Sequence, residues 1–147
     1  MDSGCHPRRE RRARKFHQAA ADAVRAYAGR EFRLDKRLKD GESLRRRGHG
    51  NPLQLAPEVS YLWGWFCELS AGRQSSGYGP QPLSYGDIRA WERLLARRPR
   101  GWEVMLLKQL DLDYLEAQAM DDGALLAEQM EDDEARSQAI MALLVGG

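Results

Sequence analysis

At 147 residues, 42% of them apolar and 31% charged, the chain is sized for one domain with a modest core and room for one or two extensions. Its net charge of +1 conceals a separation: residues 1–50 carry 15 Lys/Arg against 7 Asp/Glu (+8), residues 51–100 carry 6 against 4 (+2), and residues 101–147 carry 2 against 11 (−9). Cys5 and Cys67 are far apart and belong to no spaced Cys/His set, so neither a disulfide framework nor a zinc site is indicated, and a reducing cytoplasm is the natural setting. No run reaches the roughly 18 apolar residues of a membrane span, and no apolar stretch follows the N-terminal charges as a signal peptide would require.

A charge dipole of this kind points to polyanion binding by the basic end, to contact between the two ends, or to head-to-tail association with a partner. The basic end opens with RRERRARK at residues 8–15. The following FHQAAADAVRAYA places Phe16, Ala20, Ala23, Val24 and Tyr27 on one face, so an amphipathic helix is expected to end near Gly29. Arg8, Arg9, Arg11 and Arg12 suit a nucleic-acid or acidic-partner arm, and equally a solvated helix or one that meets the acidic C-terminus. From Glu31 onward single apolar residues alternate with charge. Gly41, Gly48 and Gly50 with Pro52 read as a linker, which sets a basic arm at 1–51 apart from a core domain at 52–120. His6, His17 and His49 are too scattered to suggest a metal site.

In the core segment, Pro57 fits the first turn of a helix, where its missing N–H has no partner to lose. Val59, Leu62, Phe66 and Leu69 then form an apolar stripe, with Trp63 beside it and the pair Tyr61 and Trp65 on another flank that needs a second surface to cover it. Residues 70–83, SAGRQSSGYGPQPL, form a long loop of the kind that is more often functional than accidental. It lacks the preceding strand and glycine spacing of a nucleotide cradle. Ser84 with Asp87 predicts a capped helix whose apolar stripe is Ile88, Trp91 and Leu95, and Arg89, Arg93 and Arg97 recur as a basic ridge on the other side.

After a break at residues 98–101, Trp102 to Glu116 is apolar on nearly every side, as a central helix is. Asp111 and Asp113 interrupt it; they cap, pair with an arginine of the preceding helix, or face solvent. The two helices have the outline of a DNA-reading helix-turn-helix, but the second offers only Lys108 and Gln109 to base edges, so a structural hairpin is expected. Residues 121–147 form an acidic segment, with Leu126, Met130, Ile140, Met141 and Leu144 on one side of a helix that depends on docking. The fold class is all-α: a core of about three helices, a basic N-terminal helical arm and an acidic C-terminal helix. No nucleophile, base and orienting group can be assembled, so no catalytic, cofactor or metal site is expected.

The block from Glu58 to Leu115, about 58 of the 147 residues, resembles the tail assembly chaperones of long-tailed bacteriophages, small helical proteins encoded just before the tape measure gene. The resemblance lies in YLWGWFCEL, the GR and GYGP elements of the loop, PLSYGDIRAW, and WEVMLLKQLDLDYL. It implies a non-catalytic protein of the host cytoplasm that keeps tape measure protein soluble and recruits tail-tube subunits during virion morphogenesis. In many members a programmed frameshift supplies a second form. The implied partner surface comprises Tyr61, Trp63, Trp65, Arg73, Tyr78, Tyr85, Arg89, Trp91 and Arg93. Residues 1–50 have no counterpart in that pattern, and Gly101 stands before Trp102 where the family tends to place proline.

Overall fold

The first helix is longer than its local signals suggest. In the computed structural model, which describes residues 7–146, α1 runs from Pro7 to Asp35 and passes through Gly29 without a break. A glycine inside a helix costs about 1 kcal/mol relative to alanine. Continuing the helix offsets this by burying Phe32 in line with Ala20, Val24 and Ala28, and Leu34 in a second cluster. Phe16 lies one turn before that stripe on the same face and is 60% exposed, because the packing begins only at Ala20.

Four further helices follow: α2 at Pro57–Ala71, α3 at Tyr85–Leu94, α4 at Gly101–Ala119 and α5 at Asp122–Val145. A minimal antiparallel hairpin, β1 at Ser75–Ser76 and β2 at Gly79–Pro80, lies between α2 and α3. The three helices expected in the central segment are present, and Pro57 stands in the first turn of α2. The main core joins Val59, Leu62, Phe66 and Leu69 of α2, Ile88 and Trp91 of α3, and Leu106, Leu107, Leu110 and Ala117 of α4 to the buried stripe of α1. The division at residue 51 is therefore not a division of the core: α1 packs on α4 and α2 as a fourth helix.

Residues 36–51 do not behave as a linker. Leu38 and Leu44 are buried and join Leu34 and Leu125 in a second small cluster, and Arg45 bonds back to Glu31 and Asp35 on α1. The Asn51 amide donates to the Tyr27 carbonyl at 3.1 Å. Gly41 and Gly48 have φ of +85° and +95°, so the glycines that read as a linker supply left-handed turns to a folded return.

Part of the charge dipole closes inside the molecule. Helix α5, capped by Asp121 accepting from the Ala124 N–H at 2.7 Å, lies by its acidic first half against the second half of α1. Arg30 pairs with Asp132 at 3.0 Å, Arg33 with Glu128 at 3.5 Å, and the Lys39 N–H donates to Asp122. Of the predicted apolar side of α5, only Leu126 packs against the body; Met130, Ile140, Met141 and Leu144 are exposed. Cys67 is exposed, whereas Cys5 and His6 lie outside the described residues.

Asp111 is the most deeply buried acid of α4. It faces neither solvent nor an arginine of α3: it accepts from the Leu83 N–H at 2.9 Å and forms an ion pair with Arg73 at 2.6 Å, both side chains being almost fully buried. Asp113, two residues on, takes a two-pronged bond from Arg25 of α1 at 2.9 and 3.0 Å. Removing one member of a buried pair leaves the other uncompensated, at a cost of about 3–5 kcal/mol, whereas replacing both by apolar residues of similar volume is often tolerated. Denaturant unfolding of Asp111→Ala should show a loss in that range, and Arg73→Met with Asp111→Leu should recover most of it. A loss below about 1 kcal/mol for Asp111→Ala would contradict a structural role for the pair.

Candidate partner interface

The stretch from Tyr61 to Leu95 divides into residues spent on the core and residues left at the rim. Trp63 belongs to the first group. Its ring lies 5.6 Å from Tyr27, 5.6 Å from Phe32 and 5.9 Å from Phe66, centroid to centroid, in an aromatic cluster between α1 and α2 that continues to Tyr114. Trp91 is buried and donates its indole N–H to Glu68 at 2.9 Å. Arg73 is also internal: it pairs with Asp111, donates to the Gln81 carbonyl at 2.8 Å and lies 4.4 Å over the Tyr114 ring. Periodicity places Trp91 on the apolar stripe of α3 and Trp63 beside that of α2, in agreement with their burial; it is the resemblance that implies all three for a partner surface.

The basic ridge is shorter than its spacing suggests. Helix α3 stops at Leu94, and Ala96 takes a left-handed φ of +53°, which turns the chain before Arg97. Arg97 then swings back to α2 and pairs with Glu68. The bonds from Arg97 and Trp91 hold the Glu68 carboxyl below its usual range. Arg89 and Arg93 remain exposed and, with Tyr85, Ile88, Glu92 and Val104, line an open groove between α3 and α4.

Trp65 and Tyr61 occupy the boundary. Trp65 is half-buried, edge-on to Tyr61 at 4.9 Å and to Trp91 at 5.5 Å. The second surface that this pair needed comes largely from the chain itself. Tyr61 is 39% exposed and donates its hydroxyl to Glu103 of α4 at 2.5 Å; Glu103 also accepts the Arg100 N–H. Burial, and then the bond to Glu103, push the Tyr61 pKa up to about 12.

The hairpin tip is the most exposed feature. Tyr78 is fully exposed, and the loop beneath it is held at both ends by the same carboxylate, since Asp111 engages Arg73 on one side and the Leu83 backbone on the other. The Gln81 N–H donates across the base to the Gln74 carbonyl at 2.8 Å, and Lys108 of α4 donates to the Leu83 carbonyl at 2.6 Å. Helix α3 starts at once from this anchored base. Ser84 accepts from the Asp87 N–H at 3.0 Å and Asp87 accepts from the Ser84 N–H at 2.8 Å, the reciprocal cap that the sequence predicts. Tyr85, in its first turn, is 62% exposed with Lys108 5.0 Å over its ring.

Sequence reasoning missed one patch. Met105 and Leu112 stand one turn to either side of Lys108 on the outer face of α4 and are 64% and 58% exposed, and Leu94 at the end of α3 is also exposed. In a helix apolar on every side no pattern marks which side faces out. Only the 101, 105, 108, 112 spacing, a line containing Gly101 and Lys108, carried a weak signal. The two polar candidates for a DNA-reading helix are both engaged internally, Lys108 with Leu83 and Gln109 with Asp113.

Among the described residues there is no group of three or more His, Cys, Asp or Glu placed to hold a metal ion, and no helix is long and apolar enough to cross a membrane. What the fold presents is a small helical body with an aromatic and basic rim on a rigidly anchored loop. Residues 44–116 match the family model described as phage tail assembly chaperone. The resemblance carried by the Glu58–Leu115 block is thereby shown, and it extends over residues 44–116. The match begins at the buried Leu44 and ends within α4, so α1 and α5 lie outside it although both pack on the matched segment. No curated protein and no solved structure matches the chain.

Tyr61 provides a test of the boundary between core and rim. Its folded pKa lies above the ordinary value of 10.0, so the stabilisation linked to it is fully present below about pH 10 and is lost as pH rises toward about 12. An alkaline titration followed by tyrosinate absorbance should contain a phase near pH 12 that Tyr61→Phe removes. Persistence of that phase in the variant would show that Tyr61 is not the shielded tyrosine.

Proposed function

We propose that the protein is a non-catalytic chaperone of phage tail morphogenesis that acts in the host cytoplasm and captures the tape measure protein, the tail-tube protein or both before the tail is complete. The observation that carries this reading is the family match over residues 44–116, the segment that builds α2, the hairpin, α3 and most of α4. The proposed contact surface is the outer rim of that segment: Tyr78 at the hairpin tip, Tyr85, Arg89 and Arg93 along α3, with Tyr61 and Trp65 at its edge.

The mechanism is reversible capture. A subunit that polymerises, or a long helical protein awaiting its tube, exposes apolar surface that aggregates unless covered. Exposed aromatic rings offer large contact area with a polar handle, and arginines add charge complementarity that sets orientation and encounter rate more than affinity. Such a rim binds without a reactive group. Trp63, Trp91 and Arg73 contribute by holding the rim in place.

Co-expression with the tube or tape measure protein of the same phage, followed by affinity capture, tests the proposal. Tyr78→Ala should fold like the parent protein, since substitution of a fully exposed side chain typically changes stability by less than about 0.5 kcal/mol. Combined with Tyr85→Ala, Arg89→Glu and Arg93→Glu, it should abolish capture. Capture of neither tail protein by the parent chain, or undiminished capture by the quadruple variant, would refute the assigned surface.

A further inference from the structure

The N-terminal third of α1 adds nothing to the core, and within it Arg14 borders the body in an open groove with Trp102 and Met105. From Pro7 to Phe16 every residue is exposed, and the first buried residue of the helix is Ala20. At 1.5 Å per residue, this stretch adds about 15 Å of helix beyond the packed stripe. It holds five arginines and one lysine against a single acid, Glu10. Arg8, Arg11, Arg12 and Lys15 fall at i, i+3, i+4 and i+7, so they stand on one face as a continuous cationic stripe.

These cations are not the ones that the acidic end of the chain neutralises. Asp132 and Glu128 of α5 meet Arg30 and Arg33, and Asp113 of α4 meets Arg25, all further along α1. Among the described residues, none of the six cations between Arg8 and Lys15 takes part in an ion pair. Six like charges in eight residues repel one another, and the helix holds them there without a counter-charge from the folded body.

The kind of partner follows from what the stripe lacks. A protein interface draws its affinity from a few desolvated apolar anchors, whereas exposed ion pairs contribute little. Here Ala13 and Phe16 are the only apolar residues beside Pro7 at the helix start. A nucleic acid rewards charge alone, because every phosphate neutralised releases condensed counterions. The guanidinium fork, which dominates the stripe, matches two phosphate oxygens at once. An α-helix with its side chains, about 10–12 Å across, fits a B-form major groove about 12 Å wide. No Asn or Gln accompanies the stripe, so there is nothing beyond the cations to read base edges.

We propose that the projecting N-terminal part of α1 is a sequence-nonspecific nucleic-acid-binding helix that lays Arg8, Arg11, Arg12 and Lys15 along the phosphodiester backbone of a duplex. The site is separate from the tail-protein rim, and its test involves no tail protein.

The experiment is fluorescence anisotropy of the full chain with a labelled short DNA duplex, the corresponding RNA duplex, and a duplex of scrambled sequence, with poly-glutamate as a competitor of equal charge. Four neutralised phosphates give a slope of about −3.6 in log Kobs against log salt, so affinity should fall by about two orders of magnitude between about 50 and about 200 mM salt. Scrambling should not change it. Joint replacement Arg8→Gln, Arg11→Gln, Arg12→Gln and Lys15→Gln should abolish binding, with circular dichroism confirming that the helix and fold persist, while the same arginines changed to lysine should retain the salt slope. Binding to one duplex type over the other identifies the backbone recognised. Absence of binding at low salt, equal competition by poly-glutamate, or full binding by the glutamine variant would each overturn the assignment.

Discussion

A carboxylate as buried as that of Asp111 has to be compensated, and the way it is compensated fixes the geometry of everything between α2 and α3. Arg73 stands near the start of the connecting loop and Leu83 at its end, and both converge on the same side chain of α4. The loop is thereby closed at its base, and the hairpin between its ends is presented outward with Tyr78 at the tip. Because Ser84 caps α3 directly after Leu83, the same anchor sets where α3 begins and how Tyr85 and Arg89 are displayed. A loop of this length would otherwise be expected to sample many arrangements at its rim.

Around that anchor the aromatic residues sort by role. Trp63 joins Tyr27, Phe32, Phe66 and Tyr114 in a cluster that locks α1 and α2 on α4, and Trp91 ties α3 to α2 through Glu68. Trp65 and Tyr61 close the edge, while Tyr78 and Tyr85 remain outside. The basic residues sort in the same way: Arg25, Arg30, Arg33, Arg45, Arg73 and Arg97 are paired with acids of the chain, whereas Arg89 and Arg93 on α3 and the stripe at the start of α1 are exposed. Charge that looked like one dipole along the sequence is thus partly structural and partly available.

The family match covers residues 44–116, yet the folded body extends further. Helix α1 supplies one wall of the main core, and Leu34 and Leu125 bring α1 and α5 together over the return at residues 36–51. The matched segment is therefore embedded between two helices that it does not include. This agrees with the basic N-terminal region having no counterpart in the pattern by which the resemblance was recognised.

The sequence by itself determined the mostly helical class, the positions of α2, α3 and α4, the cap at Ser84, the apolar stripe of α2 and the family resemblance, because these rest on periodicity, end signals and motifs that are local in the chain. Where it misled, the deciding energy was not local. Gly29 read as a stop and residues 36–51 as a linker, because the burial of Phe32, Leu34, Leu38 and Leu44 depends on helices that arrive later in the chain. Trp63, Trp91 and Arg73 were implied for a partner surface by the resemblance, because the groups that engage them from other elements, such as Glu68 at 23 residues from Trp91, lie beyond any periodic window. Which end of α1 meets α5, and which cations are left for other partners, was likewise settled only when the helices packed and brought specific acids within reach.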